Sequence, residues 1–235
     1  MDKKVAVITG ASKGIGKALA VLLLKEGHAV VNISHSPPES ETDAVFIQAD
    51  VRSQEACDSA IQKTIADFGR IDVLVNNAGV LIPDSVEHLD TEKMRANMET
   101  NVYGTLYCSH AVIPQMKKQG HGQILNMAST SGMSFRPGNV SYAASKWAVV
   151  GMTGTLRKEV ESYGIDVVCF SPGGVKTELH RHDPGRDTSD YMDSVRVAEK
   201  MLEVLKRTDK DKWLFVIKRG EKNLHRYGFD EYPGV

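Results

Sequence analysis

The sequence lacks an excess of charge of either sign. Its 29 Lys and Arg residues are set against 30 Asp and Glu residues, which gives a formal net charge of -1 at pH 7. Nucleic acids and anionic membrane surfaces are bound through clusters of basic residues. We therefore expect neither a nucleic acid nor a membrane as a partner of this protein.

Cysteine is scarce, and long apolar runs are missing. The three cysteines, Cys57, Cys108 and Cys169, have no metal-binding or redox spacing. They are predicted to be reduced thiols of a cytoplasmic protein. No apolar run is long enough to cross a bilayer, and the N-terminal residues enter an apolar strand with no stretch of signal-peptide form. These absences exclude the disulfide-stabilised and membrane-spanning classes.

The apolar residues that are present form short runs separated by longer segments of helical period. The runs are nearly continuous in apolar character, which is typical of parallel strands buried on both faces. The predicted strands are Val5–Thr9, Ala29–Ser34, Ala44–Ala49, Ile71–Asn76, Gly122–Ala128, Ile165–Ser171 and Trp213–Lys218. The predicted helices lie near 15–26, 53–68, 91–118, 141–163 and 190–207. The alternation predicts one domain over 1–235 with a doubly wound, Rossmann-type α/β fold, in which helices cover both faces of a mostly parallel, roughly seven-stranded sheet.

A glycine-rich turn follows the first predicted strand. Residues Thr9–Gly16 have the sequence TGASKGIG and open the first predicted helix. Glycines let a backbone approach a pyrophosphate closely, and the helix N-terminus offers free N–H groups. A plain turn is the alternative, but the strand–turn–helix context favours a dinucleotide site. The spacing G-x-x-x-G-x-G differs from the G-x-G-x-x-G of ordinary dinucleotide folds.

A tyrosine and a lysine stand four positions apart in a later predicted helix. At this spacing Tyr142 and Lys146 share one face of the helix. An ammonium beside a phenol lowers the pKa of the phenol, as a proton-transfer group working near neutral pH requires. Ser129 lies where the preceding strand opens into a loop, and its hydroxyl could point at the same place. Taken alone, the pair is more typical of ordinary surface residues.

These features, with others at the strand ends, resemble the short-chain dehydrogenase/reductase family. Thr9–Gly16 is similar to the family's TGxxxGxG loop, and Tyr142 with Lys146 matches its YxxxK element. The other similarities, in chain order, are an acidic residue near the adenine ring at Asp50, the NNAG element at Asn76–Gly79, the active-site Asn at Asn101, the active-site Ser at Ser129 and the PGxVxT segment at Pro172–Thr177. The matches run in order from Val5 to Thr177 and fade beyond that point.

The resemblance implies an oxidoreductase that transfers a hydride between a nicotinamide cofactor and a small carbonyl or secondary alcohol substrate. Tyr142 would be the acid/base, and Ser129 would hydrogen-bond the substrate oxygen. Lys146 would bind the cofactor ribose and lower the pKa of Tyr142. Asn101 would hold a water that links Lys146 to solvent. No metal is implied.

The resemblance also implies a cofactor site and favours NADP(H), with NAD(H) as the alternative. No carboxylate stands at Ser34, where relatives that use NAD carry one, and Lys13 lies where relatives that use NADP carry a basic residue. Lys13 as a solvated loop charge is the alternative. The implied cofactor contacts are Gly10, Ser12, Lys13, Gly14, Ile15, Gly16, Ser34, His35, Asp50, Val51, Asn77, Ala78, Gly79, Tyr142, Lys146, Pro172, Gly173, Val175 and Thr177.

The connection between the second and third predicted strands departs from the family pattern. It is short and contains Pro37 and Pro38. A crossover with a full helix needs about a dozen residues. We therefore predict that the usual helix is missing or reduced to a turn, which would leave the adenine side of the cofactor more open.

Two segments are predicted to shape the substrate pocket. Met133–Val140 should form one wall, with Phe135 and Arg136 as candidates to touch substrate. Residues 178–193 are predicted to form a substrate lid. Its basic residues could attract an anionic substrate, although a solvated loop with nearly cancelling charges is an equal alternative; these residues are His180, Arg181, His182 and Arg186. A metal site at His180, His182 and Asp183 fits no recognised ligand spacing.

The C-terminal tail, residues 221–235, carries aromatic side chains, which suggests docking on this chain's pocket or on another subunit, with a frayed end as the alternative. By resemblance, the helices 91–118 and 141–163 would pair two copies in a homodimer or homotetramer. Trp147, Met152 and Leu156 could serve in that contact or in the core.

Three other functions compete with the NADP(H)-dependent reductase. One is an NAD-dependent alcohol or sugar dehydrogenase of the same family. Another is a catalytically silent nucleotide-sensing module, which predicts loss of Tyr142 or Lys146, although both are present. The third is a nucleotide-sugar epimerase on a related fold, whose chains are usually longer and have a different glycine spacing.

Overall fold

A computed structural model describes residues 3–38, 40–135, 137–180, 187–228 and 230–231. Its strands form one sheet in the order β3-β2-β1-β4-β5-β6-β7-β8. The strands are β1 Val5–Thr9, β2 Ala29–Ser34, β3 Val45–Gln48, β4 Val73–Asn76, β5 Gly122–Met127, β6 Ile165–Pro172, β7 Leu214–Ile217 and β8 His225–Tyr227. Strands β1 to β7 are parallel, and β8 pairs antiparallel with β7. The prediction of a doubly wound, mostly parallel sheet is confirmed, with one strand more than the sequence indicated.

Helices cover both faces of this sheet. They are α1 Gly14–Lys25, α2 Gln54–Phe68, α3 Thr91–Met98, α4 Gly104–Gln119, α5 Val140–Val160 and α6 Ser194–Lys206. On one face, Leu19 of α1 and Met201 of α6 pack on alternate residues of β1, such as Ile8. On the other face, Ile61 of α2 and Val112 of α4 pack with Val7. Because neighbouring residues of β1 enter opposite cores, the strand is apolar throughout.

The connection between β2 and β3 contains no helix in its described residues, which are 35–38 and 40–44. This confirms the prediction from its two prolines and short length. The strand that follows, β3, lies at the edge of the sheet, where Val45 remains 40% exposed. The carboxyl end of β2 is therefore open on this side, without the helix that a longer crossover would place there.

The predicted helix over 91–118 is interrupted by a turn of π-helix. Helices α3 and α4 are joined by Glu99–Tyr103, whose wider hydrogen-bond spacing differs from that of the α-helix on either side. Turns of this kind occur frequently at functional sites. Here the turn contains Asn101, which is 1% exposed and faces the interior.

Part of the C-terminal tail forms a strand that the sequence analysis did not predict, whereas docking of the tail on another subunit stays a prediction. His225–Tyr227 forms β8 and extends the chain's own sheet, with Tyr227 opposite Leu214 of β7. An ion pair joins this strand to α6: Arg226 Nη2 lies 2.7 Å from Glu203 Oε1. The strand is only three residues long, and its sequence HRY contains no apolar run, so the sequence pattern gave no signal for it. The aromatic residues Phe229 and Tyr232 lie outside the described residues.

Candidate active site

A cavity of about 620 Å³ lies beyond the carboxyl ends of the parallel strands. Sheets of this type bind ligands at that edge. The predicted cofactor and catalytic residues border the cavity, with the exceptions of Gly16 and Asn101. Both exceptions are buried directly behind its wall. The fold therefore brings the residues of the separate motifs to one site.

The glycine-rich turn has the backbone that its sequence predicts. Gly10 and Gly14 have φ angles of +68° and +58°, in the left-handed region that favours glycine. A Cβ on Gly16 would lie 2.5 Å from Nδ2 of Asn77 and 2.6 Å from the oxygen of Gly10. Because Gly16 has no side chain, the start of α1 can pack closely against Asn77 at the end of β4. Asn77 Nδ2 donates to the oxygens of Thr9 and Gly10 at 3.0 and 3.1 Å and fixes this arrangement.

A buried asparagine of β2, missed by the sequence analysis, holds the same turn from the other side. Asn32 Oδ1 accepts hydrogen bonds from the Ala11 N–H at 3.1 Å and the Ser34 hydroxyl at 2.6 Å. Its Nδ2 donates to Ser12 Oγ at 3.1 Å, and Ser12 Oγ donates to the oxygen of Ser36 at 2.6 Å. A polar residue inside an otherwise apolar strand is the signal that could have identified it. The Ser12 and Ser34 hydroxyls therefore position the turn and already donate within the protein.

Charged side chains surround the end of the cavity near β2 and β3. Arg52 bonds both carboxylate oxygens of Asp50, with Nη2 2.6 Å from Oδ2. This hydrogen bonding lowers the pKa of Asp50. His35 and Arg52 border the cavity here. Lys13 Nζ lies 3.8 Å from Glu178 in an exposed, weak ion pair. Arg52 is a candidate phosphate ligand that motif matching did not identify.

Tyr142 and Lys146 lie in the wall of the cavity on α5, and they are only 4% and 5% exposed. Lys146 Nζ lies 5.8 Å from the centroid of the Tyr142 ring and donates to the oxygen of Met127 at 3.0 Å. Burial lowers the pKa of Lys146 to about 8. A tyrosine and an ammonium donor are thereby held together away from bulk water, where their electrostatic interaction is strong.

The loop that carries Ser129 is pressed against α5. Ser129 precedes a short 3₁₀ turn, Thr130–Gly132, and its Oγ accepts from the N–H of Ser131 at 3.1 Å. A Cβ on Gly132 would lie 2.7 Å from the backbone oxygen of Lys146. Only glycine permits this approach, which holds the Ser129 loop beside the helix that carries Tyr142.

The side chain of Asn101 hydrogen-bonds both the segment that follows β4 and helix α5. Its Oδ1 accepts from the N–H of Val80 at 2.9 Å, and its Nδ2 donates to the oxygen of Val80 and to Ser145 Oγ at 3.0 and 2.9 Å. A Cβ on Gly79 would lie 3.1 Å from Asn101 Oδ1 and 3.6 Å from Lys146 Nζ. Asn101 and Lys146 are therefore neighbours across Gly79. The water relay through Asn101 stays a prediction.

A tyrosine that the sequence analysis missed closes the end of the cavity near Pro172–Thr177. Tyr191 borders the cavity, and a Cβ on Gly174 would lie 2.6 Å from its ring. The Arg219 guanidinium lies 5.2 Å from the same ring. The signal in the sequence was the second glycine of the PGGVKT segment, which leaves room for the ring.

The two segments expected to shape the substrate pocket have different outcomes. Phe135 does not touch the cavity: it is 91% exposed and stacks on Trp147 at 6.0 Å, so its predicted substrate contact is wrong. Of Met133–Val140, Asn139 borders the cavity. Arg136, residues 181–186 and the side chain of His180 lie outside the described residues, and the lid stays a prediction.

Other chemistries have no support in the described residues. Cys57, Cys108 and Cys169 are buried and free, and burial raises the pKa of Cys169 to about 12. In the part of the chain that the structure describes, no three His, Cys, Asp or Glu side chains are grouped as a metal would require. The described helices are also too short or too polar to cross a bilayer.

The buried Lys146 leads to a prediction about stability and pH. Its pKa is about 8 in the folded chain and 10.5 ordinarily, so the folded chain releases the proton first. Below pH 8 the buried charge therefore lowers stability, and this cost is relieved as the pH rises to 10.5. We expect the free energy of unfolding of the wild type to rise by about 3 kcal/mol relative to Lys146→Met across that window.

Urea unfolding of the cofactor-free proteins at a series of pH values, at one protein concentration, measures this difference. Lys118→Met, at an exposed position of α4, is the matched control and should show a constant difference. A difference between wild type and Lys146→Met that is also constant would contradict the buried ammonium.

Comparison with known proteins gives consistent matches. Residues 4–186 match the model of the family described as short chain dehydrogenase. A 3-oxoacyl-[acyl-carrier-protein] reductase of Synechocystis sp. is 37% identical over 190 residues, which span 76% of this chain and 77% of the relative. The structure of ElxO with NADP bound has a TM-score of 0.83 and 29% identity, and the match covers 92% of this chain and 97% of ElxO. A 3-ketoacyl-(acyl-carrier-protein) reductase from Brucella melitensis complexed with NADH has a TM-score of 0.84 and 28% identity, with coverages of 92% and 97%.

Proposed function

Because the chain belongs to the short-chain dehydrogenase/reductase family and is an NAD(P)-dependent oxidoreductase acting on CH–OH and C=O groups, we propose that it is an NADP(H)-dependent enzyme with Tyr142 as its acid/base. Its substrate is a small carbonyl or secondary alcohol compound. The observation that carries the proposal is the burial of Tyr142 beside Lys146 in the wall of the cavity that the glycine-rich turn borders.

The residues present fit a dinucleotide. A Cβ on Gly10 would lie 2.9 Å from Cα of Ala78, so glycine keeps the turn close to the end of β4 and leaves its backbone open to a ligand. Bound there, a nicotinamide dinucleotide supplies or accepts the hydride. Its ribose would be held by Tyr142 and Lys146, and its pyrophosphate by the turn Gly10–Gly16.

The chain's own residues handle the proton and the developing charge. Reduction of a carbonyl leaves negative charge on its oxygen, which Tyr142 protonates while Ser129 donates a hydrogen bond. Protonated Lys146 stabilises the resulting phenolate, since an opposite charge nearby favours the ionised form. Asn101 keeps Lys146 in place through the Val80 backbone and α5.

The test is an assay of nicotinamide absorbance with a panel of ketones, aldehydes, sugars and alcohols, each with both cofactors. Turnover of a carbonyl or alcohol compound that disappears in Tyr142→Phe supports the proposal. Binding of NADPH without turnover of any panel member would contradict it and favour the silent nucleotide-sensing module.

The preference for NADP(H) is supported by basic side chains near the end of β2. Lys13, His35 and Arg52 border this part of the cavity, and a phosphate monoester is bound by such groups. Asp50 is paired with Arg52 and so presents less free negative charge to a phosphate. Among solved relatives, ElxO has been seen with NADP, and the Brucella reductase with NADH.

The double substitution Lys13→Ala, His35→Asp is expected to reverse this preference. Position 35 suits the carboxylate better than the buried position 34, because His35 is exposed whereas Ser34 bonds Asn32. Removal of one cation and addition of an anion should raise the KM for NADPH by about tenfold or more. Initial rates with both cofactors measure the change, and Lys17→Ala, outside the cavity lining, is the control. An unchanged KM for NADPH would refute the role of these positions.

We also infer a homodimer or homotetramer. Support comes from apolar side chains exposed along the two long helices, since Tyr103 and Leu106 are 45% and 42% exposed and Trp147 on α5 is half-buried. Apolar side chains exposed on successive turns, as Tyr103 and Leu106 are, are suited to contact with a second copy of the chain. A cytoplasmic location and the absence of nucleic-acid and membrane partners stay predictions.

A further inference from the structure

Asn97 is a buried asparagine of α3 that has no role in the chemistry above. Its Oδ1 accepts from the N–H of Ile82 at 3.1 Å, and its Nδ2 donates to the oxygen of Ile82 at 2.9 Å and to Ser141 Oγ at 2.8 Å. Asn101, four positions later, makes the corresponding three bonds to the segment after β4 and to α5. The arrangement around Asn101 is therefore repeated one helical turn away.

The two serines that accept these bonds are the immediate neighbours of the active-site residues on α5. Ser141 precedes Tyr142, and Ser145 precedes Lys146. Residues four apart share one face of a helix, so the serines form one face of α5 and Tyr142 and Lys146 form the face next to it. The serines are buried at 5% and 0% exposure, whereas the adjacent face borders the cavity. The bonds that fix the serine face therefore also fix the orientation of Tyr142 and Lys146.

The bond from Asn97 to Ser141 lies where the helix supports itself least. Tyr142 is in the first turn of α5, whose N–H groups have no partner within the helix. The residue before the helix makes no capping bond with its side chain. Instead, both carboxylate oxygens of Asp84 accept from the N–H of Ser141 at 3.2 Å. Ser141 is thus held through its backbone by Asp84 and through its side chain by Asn97.

We propose that Asn97 and Ser141 are positioning residues, which hold Tyr142 at the correct distance from the reacting carbonyl. Neither of them borders the cavity, so both act through Tyr142. Because Asn97 also bonds both backbone groups of Ile82, which does border the cavity, one side chain sets the spacing between this wall and Tyr142. This inference rests on the proposed function, because it requires Tyr142 as the acid/base.

The Ser141→Ala variant tests the bond directly. It removes the hydroxyl but keeps the N–H that Asp84 binds, and Asn97 Nδ2 keeps its bond to the oxygen of Ile82. We expect the rate of the first turnover to fall by about tenfold or more, since a misplacement of about 1 Å can cost about 10² in rate. The affinity for NADPH should stay at the wild-type value. Stopped-flow absorbance with saturating NADPH and carbonyl compound measures the rate, and calorimetric titration measures the Kd.

Ser109→Ala is the matched control, because it removes a bond of the same kind away from the cavity. Ser109 of α4 is 2% exposed and accepts from Asn76 Nδ2 at 3.0 Å, and this nitrogen keeps its bond to Asn126 Oδ1 at 2.8 Å. None of these three residues borders the cavity. We expect both serine variants to lose a similar free energy of unfolding in urea, while Ser109→Ala keeps the wild-type rate of the first turnover.

A second substitution, Asn97→Ala, shows whether the pair acts as a unit. Once Asn97 is gone, the Ser141 hydroxyl has lost its donor, so the double variant should be no slower than Asn97→Ala alone. If Asn97→Ala does not fold, Ser141→Ala and its control decide the question. A first-turnover rate in Ser141→Ala equal to that of Ser109→Ala, or losses that add in the double variant, would overturn the inference. The proposed function would then stand on the loss of turnover in Tyr142→Phe. Failure of the wild type to turn over any carbonyl or alcohol compound would instead overturn the proposed function, and this inference with it.

Discussion

The Tyr142→Phe variant is expected to lose turnover by a factor of about 10³ while it still binds NADPH. A positioned acid or base contributes about 10²–10⁴ to a rate. The substitution removes the hydroxyl alone. Because the Tyr142 ring is 4% exposed and packed in the cavity wall, phenylalanine can occupy the same space without moving Lys146.

The two parts of this expectation are measured separately. Steady-state absorbance gives kcat, and calorimetric titration gives the Kd for NADPH. Tyr107→Phe is the matched control, since this partly buried tyrosine of α4 packs against the core on that face of the sheet and does not border the cavity. It should retain wild-type turnover. Activity in Tyr142→Phe comparable with that control would show that another group transfers the proton.

The Gly132→Ala variant is expected to lower kcat by about 10², although Gly132 carries no reacting group. The added Cβ would lie 2.7 Å from the backbone oxygen of Lys146 and 2.8 Å from its backbone carbon. Backbone atoms of α5 cannot rotate away as a flexible side chain can, so the Ser129 loop must move from the helix. A misplacement of about 1 Å between groups that act together on one substrate oxygen costs a rate factor of this size.

Gly151→Ala, on α5, the helix that Gly132 contacts, is the matched control. Nothing lies within 4 Å of a Cβ at this exposed position, and alanine in place of glycine favours a helix by about 0.5–1 kcal/mol. Its kcat should equal that of the wild type, with a slightly higher melting temperature. If both alanine variants have wild-type kcat, the close contact of Gly132 does not position Ser129.

The sequence predicts best those parts of the molecule whose structure depends only on the residues of that segment. The strands Val5–Thr9 and Ala29–Ser34 have the predicted bounds, because a strand buried on both faces must be apolar along its whole length. The absence of a helix from the described residues between β2 and β3 followed from chain length and proline alone. The motif residues could be placed at one edge because the carboxyl ends of parallel strands meet there.

The features that were missed depend on contacts between distant segments. The π-helical turn Glu99–Tyr103 is a single turn between two helices that continue one another, and the sequence analysis predicted one unbroken helix over 91–118. Strand β8 is three residues long and gains its conformation from pairing with β7. The position of Tyr191 depends on Gly174, which lies far from it along the chain. Phe135 was misplaced because an aromatic residue beside a site was expected to face inwards.

The order of the strands has a consequence for how this chain folds during its synthesis. Strands β1, β2 and β3 extend the sheet in one direction, and β4 to β8 then add one after another in the other direction. No strand has to enter between two that are already paired, so the sheet grows only at its edges as the chain leaves the ribosome. The turn Gly10–Gly16 and the end of β4 that packs against it can therefore form before α5 is made, so this part of the cavity wall precedes the helix that carries Tyr142 and Lys146. The last strand made, β8, then closes the apolar edge at β7.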